Sequence, residues 1–242
     1  MSTPALDVLA IAAHRDDVEQ TCGGTLLKMA QRGYRTGILD LTRGEMGTRG
    51  TAEDRASEAA DAARILKVSW REALDIPDGR VENTFENRLK IAAVIRAQRP
   101  RVVILPYWKG RHPDHYTASV LGYEACFLAG LTKLKVEGRE TAPHRPFKII
   151  YATLYFDVRP TFVVDISDQF EARLQSILAY KSQFTDQQAG SADFPAHEEI
   201  RDRLHSMARF YGLLAGVKYA EPFLQKEVGL IEDLLDIPVK SI

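Results

Sequence analysis

The sequence predicts an α/β protein with a doubly wound, mostly parallel, Rossmann-like sheet and helices on both faces. Short apolar segments typical of strands alternate with longer segments whose apolar residues recur at helical spacing. The first apolar segment, residues 6–13, is almost continuous, as expected of a strand buried on both faces of a parallel sheet. A chain of 242 residues with 45% hydrophobic residues can bury one large core, so we expect a single domain spanning residues 1–242.

The strands are predicted where apolar and β-branched residues cluster between turn residues. They cover residues 6–13, 36–41, 73–76, 102–105, 147–156 and 161–166. Residues 42–50 contain three glycines and form a loop in this prediction, because they are too rich in glycine for regular structure.

The helices are predicted from apolar spacing and from residues typical of helix ends. The first helix would begin at Gly23-Gly24 and end at Gly33, and the second would begin with a capping box at Thr51 and run to about Lys67. A helix capped by Ser167 is also expected. Further helices are predicted at residues 83–99 and 117–128, and a last long helix ends near residue 216. Surface loops are predicted at residues 131–146 and 185–195.

Charge and cysteine content exclude several classes of protein. The chain has 32 basic and 33 acidic side chains, and this formal net charge of −1 provides no electrostatic footprint for nucleic acid or anionic membranes. No apolar run approaches the roughly 20 residues that cross a bilayer, and the amino terminus lacks a cationic signal region, so a cytoplasmic protein is expected. Cys22 and Cys126 lie far apart and predict neither a disulfide framework nor a thiolate metal site.

Two polar motifs follow predicted strands at the point where each strand ends. His14-x-x-Asp17 follows the first strand, and His112-x-x-His115 follows the fourth. Each motif alone also suits an ordinary role, as a solvated strand-end pair, a helix cap or a turn. In the common strand order 3-2-1-4-5-6, the first and fourth strands are neighbours, so the two motifs would face each other at one sheet edge.

The two motifs together have the composition of a catalytic metal site. A catalytic zinc takes three N or O ligands and keeps one position open, and His14, Asp17 and His115 can supply that set. Asp16, beside a ligand, is free to act as a general base. His112 could stabilise a developing oxyanion, and Asp114 could hold an imidazole in the required tautomer.

The same stretches carry a family resemblance. AHRDDVEQTCGGTL resembles the signature AHPDDxE…GGT of the PIG-L/LmbE-like zinc deacetylases, and WKGRHPDH resembles their second motif, HPDH. TRGEMGTRGT, with an arginine in the next helix, is similar to the bacillithiol-biosynthesis branch, which deacetylates N-acetylglucosaminyl malate. Arg15 stands where the family motif usually has proline, a change that alters loop stiffness and removes no ligand.

The resemblance implies residue roles, a reaction and an assembly. It implies one zinc ion per subunit and a homo-oligomer, often a hexamer, that releases acetate and a free amino sugar. It gives Arg55 a contact with substrate. The other implied roles match those above, with His14, Asp17 and His115 as zinc ligands, Asp16 as general base and His112 as oxyanion donor.

The glycine-rich loop is the predicted substrate-binding segment. Arg43, Arg49 and Arg55 cluster in and just after it, and guanidinium groups suit bidentate binding of carboxylates such as those of a malate aglycone. Glu45 and Met46 are predicted to lie at the opening of the same substrate-binding site. Alternatively, these arginines are surface charges on a loop.

Three competing interpretations remain open at this point. Two histidines and a carboxylate also describe the facial triad of non-haem iron oxygenases. The enzyme could instead deacetylate another acetylated amino sugar, or act as an amidase on thiol conjugates. Finally, the metal could be structural rather than catalytic.

Overall fold

Strands in the computed structural model form one mixed sheet within the residues that it describes, 5–136, 142–153, 157–184 and 197–239. The strands are β1 (Val8–Ala12), β2 (Thr36–Asp40), β3 (Trp70–Ala73), β4 (Val102–Pro106), β5 (Lys148–Ala152), β6 (Phe162–Asp165) and β7 (Ala220–Leu224). Their order is β3-β2-β1-β4-β5-β7-β6, and the pairs from β3 to β5 are all parallel. The predicted mostly parallel α/β fold, with the first and fourth strands adjacent, is confirmed.

The antiparallel strand β7 was not predicted. It pairs with β5 and β6 and separates them in the sheet. Its sequence, AEPFL, contains a glutamate and a proline and lacks the apolar pattern of a strand. Glu221 is buried there because its carboxylate accepts hydrogen bonds from the backbone N–H groups of Gly24 and Thr25 at 2.8 and 2.7 Å.

Helices alternate with strands from β1 to β5, and three helices lie between β6 and β7. They are α1 (Asp17–Gln31), α2 (Ala52–Ile65), α3 (Phe85–Gln98), α4 (Pro113–Ala129), α5 (Phe170–Leu178), α6 (Lys181–Phe184) and α7 (His197–Ala215). The capping box predicted at Thr51 is present, since Thr51 and Asp54 bond to each other's backbone N–H groups. The structure describes no helix long and apolar enough to cross a membrane.

The predicted start of the first helix at Gly23-Gly24 is wrong. Helix α1 begins at Asp17 and is kinked at Cys22, where φ is −146°. After the kink the Glu221 carboxylate caps the backbone N–H groups of the second half, so the glycines begin only that half.

Three other element boundaries also differ from the prediction. Strand β3 ends at Ala73, whereas the prediction has a strand beginning there. The prediction failed because Arg71 and its polar neighbours lack the apolar pattern of a strand. Helix α4 begins four residues before the predicted Thr117, at Pro113. Ser167 is not the cap of α5, because its hydroxyl donates to Asp165 at 2.6 Å and the helix starts after Gln169. The predicted loop at 185–195 lies outside the described residues.

Alternate residues of β1 pack on opposite faces of the sheet. Leu9 and Ile11 belong to a core shared with α3 and α4, whereas Val8 and Ala10 belong to a core shared with α1. The strand is therefore buried on both sides, as its continuous apolar sequence indicates. Burial holds its carboxyl end firmly beside that of β4, where the two polar motifs leave the sheet.

Candidate metal centre and active site

The turn after β1 brings the first motif to the amino end of α1. Asp17 is the first helical residue, and its Oδ2 accepts a hydrogen bond from the backbone N–H of His14 at 2.9 Å. The bond closes the turn on itself. Asp17 is buried and His14 is mostly buried, so both side chains are held at the sheet edge.

The turn after β4 brings the second motif to the same edge. Pro113 occupies the first turn of α4, where its missing N–H has no cost, and His112 is the N-cap. The Nδ1 atom of His112 accepts the backbone N–H of Asp114 at 3.2 Å. His115 lies in the first turn of α4 and faces His14.

The ligand atoms of the two turns form a compact triangle. His14 Nδ1 lies 3.2 Å from His115 Nε2 and 3.4 Å from Asp17 Oδ2. Asp17 Oδ1 lies 3.2 Å from His115 Nε2. Metal–ligand bonds of about 2.0–2.1 Å in a tetrahedron separate neighbouring ligand atoms by about 3.3 Å, so these residues can share one ion.

A second cluster, His14, His112 and Asp114, also has ligand atoms within 4.8 Å of one another. Its members already have other partners. His112 Nδ1 accepts from α4, and the Asp114 carboxylate accepts the backbone N–H groups of Gly79 and Val81 at 2.8 and 3.2 Å. The set of His14, Asp17 and His115 is therefore the better ligand set.

Two further carboxylates lie behind His14. Its Nε2 atom is 3.1 Å from Asp78 Oδ1 and 3.4 Å from Asp114 Oδ2. Burial alone would lower the pKa of His14, but its hydrogen bonds to Asp114, Asp17 and Asp78 raise it to about 12. With its Nε2–H directed at these carboxylates, His14 presents Nδ1 to the triangle, an orientation typical of carboxylate–histidine–metal arrangements.

Asp78 was not among the candidate residues predicted from the sequence, where it follows the strand predicted at residues 73–76. Asp78 is buried, and its Oδ2 accepts the backbone N–H of Met46 at 2.9 Å while Oδ1 faces His14. Its own N–H donates to Glu45 Oε1 at 2.8 Å. Asp78 thus connects loop 42–50 to the imidazole of His14, and no local sequence pattern indicates this.

Asp16, the predicted base, is held at its two oxygens. Arg55 Nη2 donates to Oδ1 at 3.0 Å, and Gln20 Nε2 donates to Oδ2 at 3.2 Å. Arg55 is buried, with 6% of its side chain exposed. Its predicted contact with substrate remains a prediction, but the structure places the guanidinium against Asp16.

Two of the three glycines of loop 42–50, Gly44 and Gly47, are explained by this arginine. A Cβ on Gly44, where φ is +73°, would lie 2.8 Å from Arg55 Nη1. A Cβ on Gly47 would lie 3.3 Å from the same atom. The loop therefore needs glycine to pass close to the guanidinium group.

The other predicted substrate residues differ in exposure. Arg43, Glu45 and Met46 are exposed, with Met46 at 73%, whereas Arg49 is half-buried. The backbone carbonyl of Arg49 accepts a hydrogen bond from Gln183 at 2.7 Å. Loop 42–50 is thus packed against α6 on one side and against Asp78 on the other.

A cavity of about 310 Å³ opens beside the triangle, a volume suited to a small molecule. Among the described residues, none of loop 42–50 lines it. The polar and aromatic residues at its wall include Asp17, Tyr107, Lys109, Arg111, His112 and His115. Lys109 and Arg111 were not predicted from the sequence to line this cavity, although they lie within three residues of the second motif.

His112 is positioned to donate into this cavity. Burial lowers its pKa, and the neighbouring His14 and His115 lower it further, so its imidazole is neutral. Because Nδ1 accepts the Asp114 N–H, the proton of the neutral ring is on Nε2. His112 therefore offers one N–H donor beside the ligand triangle.

A buried charge network supports the first turn. Arg71 of β3 binds both oxygens of Asp40 at 2.8 and 3.0 Å and also donates to Glu19 and to the backbone carbonyl of Arg15. Tyr180 donates to the same carbonyl. Glu19, fully buried, therefore points away from the ligand triangle and into this network.

Arg15, which stands where the family motif usually has proline, forms a hydrogen bond inside the protein. It is buried, and its Nη1 donates to the carbonyl of Ala52 at 2.6 Å. Ala52 opens α2, the helix that carries Arg55. Arg15 therefore joins the first turn to the helix whose arginine contacts Asp16.

Comparisons with known proteins agree with this geometry. Residues 9–126, which include both motifs, match the PIG-L family, described as GlcNAc-PI de-N-acetylase. The chain is 34% identical over 225 residues to diacetylchitobiose deacetylase of Thermococcus kodakarensis, covering 88% of this chain and 80% of that protein.

Solved structures show the same architecture. A conserved protein from Thermus thermophilus superposes with a TM-score of 0.84 at 41% identity, covering 94% of this chain and 98% of that one. N,N'-diacetylchitobiose deacetylase from Pyrococcus horikoshii superposes with a TM-score of 0.78 at 27% identity, covering 89% of this chain and 82% of that one.

Proposed function

Since the chain belongs to the PIG-L family of de-N-acetylases, we propose that it is a zinc-dependent hydrolase that removes the acetyl group from an N-acetylglucosamine-type glycoside. We take residues 1–242 as one catalytic domain. The observation that carries the proposal is the triangle of His14, Asp17 and His115, two of which line a cavity, with Asp16 next to Asp17 in the same turn.

The donor set fits zinc. Two imidazole nitrogens and a carboxylate oxygen are ligands that zinc takes in catalytic sites, and the ion would be held by one Asp and two His side chains. When bound, zinc would supply Lewis-acid polarisation of a water molecule and of the substrate carbonyl. Asp78 and Asp114 would keep the His14 ring in its ligating orientation.

The side chains of the site divide the remaining steps. Asp16 takes a proton from the attacking water as its oxygen bonds to the acetamide carbon. His112 donates its Nε2–H to the carbonyl oxygen as that oxygen gains negative charge. Asp16 then returns the proton to the nitrogen as the C–N bond breaks, and the products are acetate and a free amino sugar.

For the substrate, we propose N-acetylglucosaminyl malate, the glycoside deacetylated in bacillithiol biosynthesis. A malate aglycone carries two carboxylates, which need cationic partners. Lys109 and Arg111 line the cavity, and Arg43 and Arg49 lie in the exposed or half-buried part of loop 42–50. Another acetylated amino sugar, or an amide of a thiol conjugate, is the alternative substrate.

The experiment is an acetate-release assay of the purified protein with zinc, on a panel of acetylated glycosides. We expect acetate from N-acetylglucosaminyl malate and from N,N'-diacetylchitobiose, with the higher kcat/KM on the malate glycoside. Arg111→Ala should raise KM for the malate glycoside and leave KM for the neutral disaccharide unchanged. Equal effects on both substrates would contradict recognition of the aglycone carboxylates.

The same assay separates the other chemistries. Consumption of oxygen with added Fe²⁺, and no acetate release, would instead indicate an oxygenase. If the metal is structural, Asp16→Asn will leave activity unchanged while the metal remains bound. Absence of acetate from every glycoside of the panel would refute the deacetylase proposal.

We also propose that the protein acts as a homo-oligomer, for which the family resemblance implies a hexamer, with a small-molecule substrate as its other partner. Large apolar side chains are exposed on α4 and along the last residues of the described chain. Exposed apolar surface of this extent favours association between proteins.

A further inference from the structure

The last described residues form a segment whose apolar side chains are largely exposed. We call residues 226–239 the C-terminal arm. Seven of its apolar side chains average about three-quarters exposed, far more than isolated surface residues need. They are Val228 (97%), Leu230 (87%), Ile231 (48%), Leu234 (81%), Leu235 (91%), Ile237 (38%) and Val239 (71%).

The arm is ordered locally but makes few bonds to the body. A single helical turn spans Leu234–Asp236, and Asp233 accepts the N–H of Leu235 at 2.9 Å. The backbone hydrogen bonds described for residues 236–239 also join arm residues to one another. The arm thus has its own shape and presents its apolar side chains outward.

A complementary apolar surface lies on α4. Tyr116, Val120, Tyr123 and Phe127 repeat at spacings of four, three and four residues, so they share one face of the helix. Their exposures are 41%, 43%, 38% and 56%. We call these four residues the α4 stripe.

The arm begins directly beside this stripe. The ammonium group of Lys226 lies 4.6 Å from the ring centre of Tyr123, 5.1 Å from that of Trp108 and 4.9 Å from that of Tyr151. Such cation–π contacts fix the first residue of the arm on the body.

We propose that the occupant of the α4 stripe is the C-terminal arm of a second copy of this chain, with two arms exchanged across a two-fold axis near Tyr123. Both surfaces belong to one chain, and the arm starts next to the stripe. A two-fold axis at that point brings each arm onto the other chain's stripe, and the contact closes. This inference rests on the proposed homo-oligomer and identifies its interface.

Area and charge agree with a second copy as the occupant. When each side chain is weighted by its exposed fraction, with about 100 Å² for an aliphatic side chain and about 200 Å² for an aromatic one, two arms and two stripes would bury about 1,600 Å², the size of a typical stable interface. The arm carries four acids against one lysine. Arg145, whose guanidinium lies 5.0 Å from the ring centre of Phe127, places a positive charge at the stripe.

The test is the mass of the full-length protein in solution, measured by light scattering and by sedimentation over a range of concentrations. Val120→Glu places a negative charge on the stripe, and Leu234→Asp with Leu235→Asp removes apolar contacts of the arm. We expect the wild type to associate, and each variant to raise the dissociation constant of this contact at least 100-fold. The matched control is Phe210→Ser with Leu213→Ser, exposed residues of α7 at 54% and 61%, which should not change association.

The outcomes are exclusive. A monomeric wild type would overturn the proposal. The proposal would also be overturned if the α7 control lost association while the α4 and arm variants kept it. Loss of association with the arm variant alone would mean that the arm binds elsewhere and would also overturn it. Circular dichroism confirms folding of each variant. Acetate release by a monomeric wild type would reject this interface and leave the proposed function standing.

Discussion

The turn after β1 lies within buried charges, whereas the turn after β4 faces solvent. In the first turn Arg15, Asp17 and Glu19 are all buried, and Arg71 and Tyr180 both bond to the backbone carbonyl of Arg15. In the second turn His112 and its neighbours Arg111 and Pro113 are exposed. The protein thus holds one half of the site tightly and leaves the other half at the cavity mouth.

The difference in burial between the two turns matches the proposed function of each turn. Ligands of a metal need fixed positions, and the first turn supplies two of the three proposed ligands. A group that meets the substrate must be reachable, and His112 is exposed. A variant of the ligand Asp17 in the first turn should therefore lose metal binding, whereas a variant of His112 in the second turn should lose catalysis and keep the metal.

The largest effect is expected from Asp17→Asn in the first turn. The Asp17 carboxylate contacts His14 and His115, and the neutral amide cannot replace its charge in a zinc site. Metal content after dialysis should fall from about one ion per chain to near none, as measured by mass spectrometry, and acetate release should be lost. The control is Asp61→Asn, an exposed carboxylate on α2, which should keep both.

Asp16→Asn should separate metal binding from proton transfer within the same turn. The amide cannot take a proton from water, so kcat should fall by about 10²–10⁴-fold. Metal content should stay at the wild-type level because Asp16 is outside the ligand triangle. A variant that loses its metal along with activity would show instead that Asp16 supports the ligands.

His112 in the second turn has a chemical and a structural role that two substitutions can separate. His112→Ala loses the N–H donor, and in His112→Asn the shorter amide does not extend to the position of the imidazole Nε2–H, so kcat should fall about 10²–10³-fold in each. The alanine variant also loses the helix cap, at a cost of about 1 kcal/mol in the free energy of unfolding, whereas asparagine is a good N-cap. Chemical denaturation should therefore place His112→Asn closer to the wild type. Full activity in His112→Ala would contradict the role of His112 as an oxyanion donor.

The smallest effect is expected from Asp78→Asn. Asparagine can still accept from His14, but its amide nitrogen cannot accept the Met46 N–H. Removing such support of a metal ligand weakens metal affinity by about 10–100-fold, which competition with a chelator would measure. Asp75→Asn, an exposed carboxylate three residues earlier, should leave the affinity unchanged. An unchanged affinity in Asp78→Asn would mean that Asp114 alone orients His14.

Much of the site could be predicted because its parts are local. His14 and Asp17 are three residues apart in a turn between a buried strand and a helix, and so are His112 and His115. Strand alternation then predicts that β1 and β4 are neighbours, which brings the two pairs together.

Other features gave no local signal. Asp78 resembles an ordinary turn residue, and its contact with His14 exists only because loop 42–50 and the start of α4 pack around residues 78–81. Strand β7 looked too polar for a sheet because the partners of Glu221 lie almost 200 residues earlier in the chain.

The sequence by itself determined the α/β fold, the order of its parallel strands and the two turns that carry the proposed ligands, since these follow from periodicity and short spacing. The tertiary structure decided which carboxylates face His14, that Arg55 contacts Asp16 and that Lys109 and Arg111 line the cavity. The physical reason is that a buried charge takes its partner from whatever the fold brings near, and distance along the chain does not limit that choice.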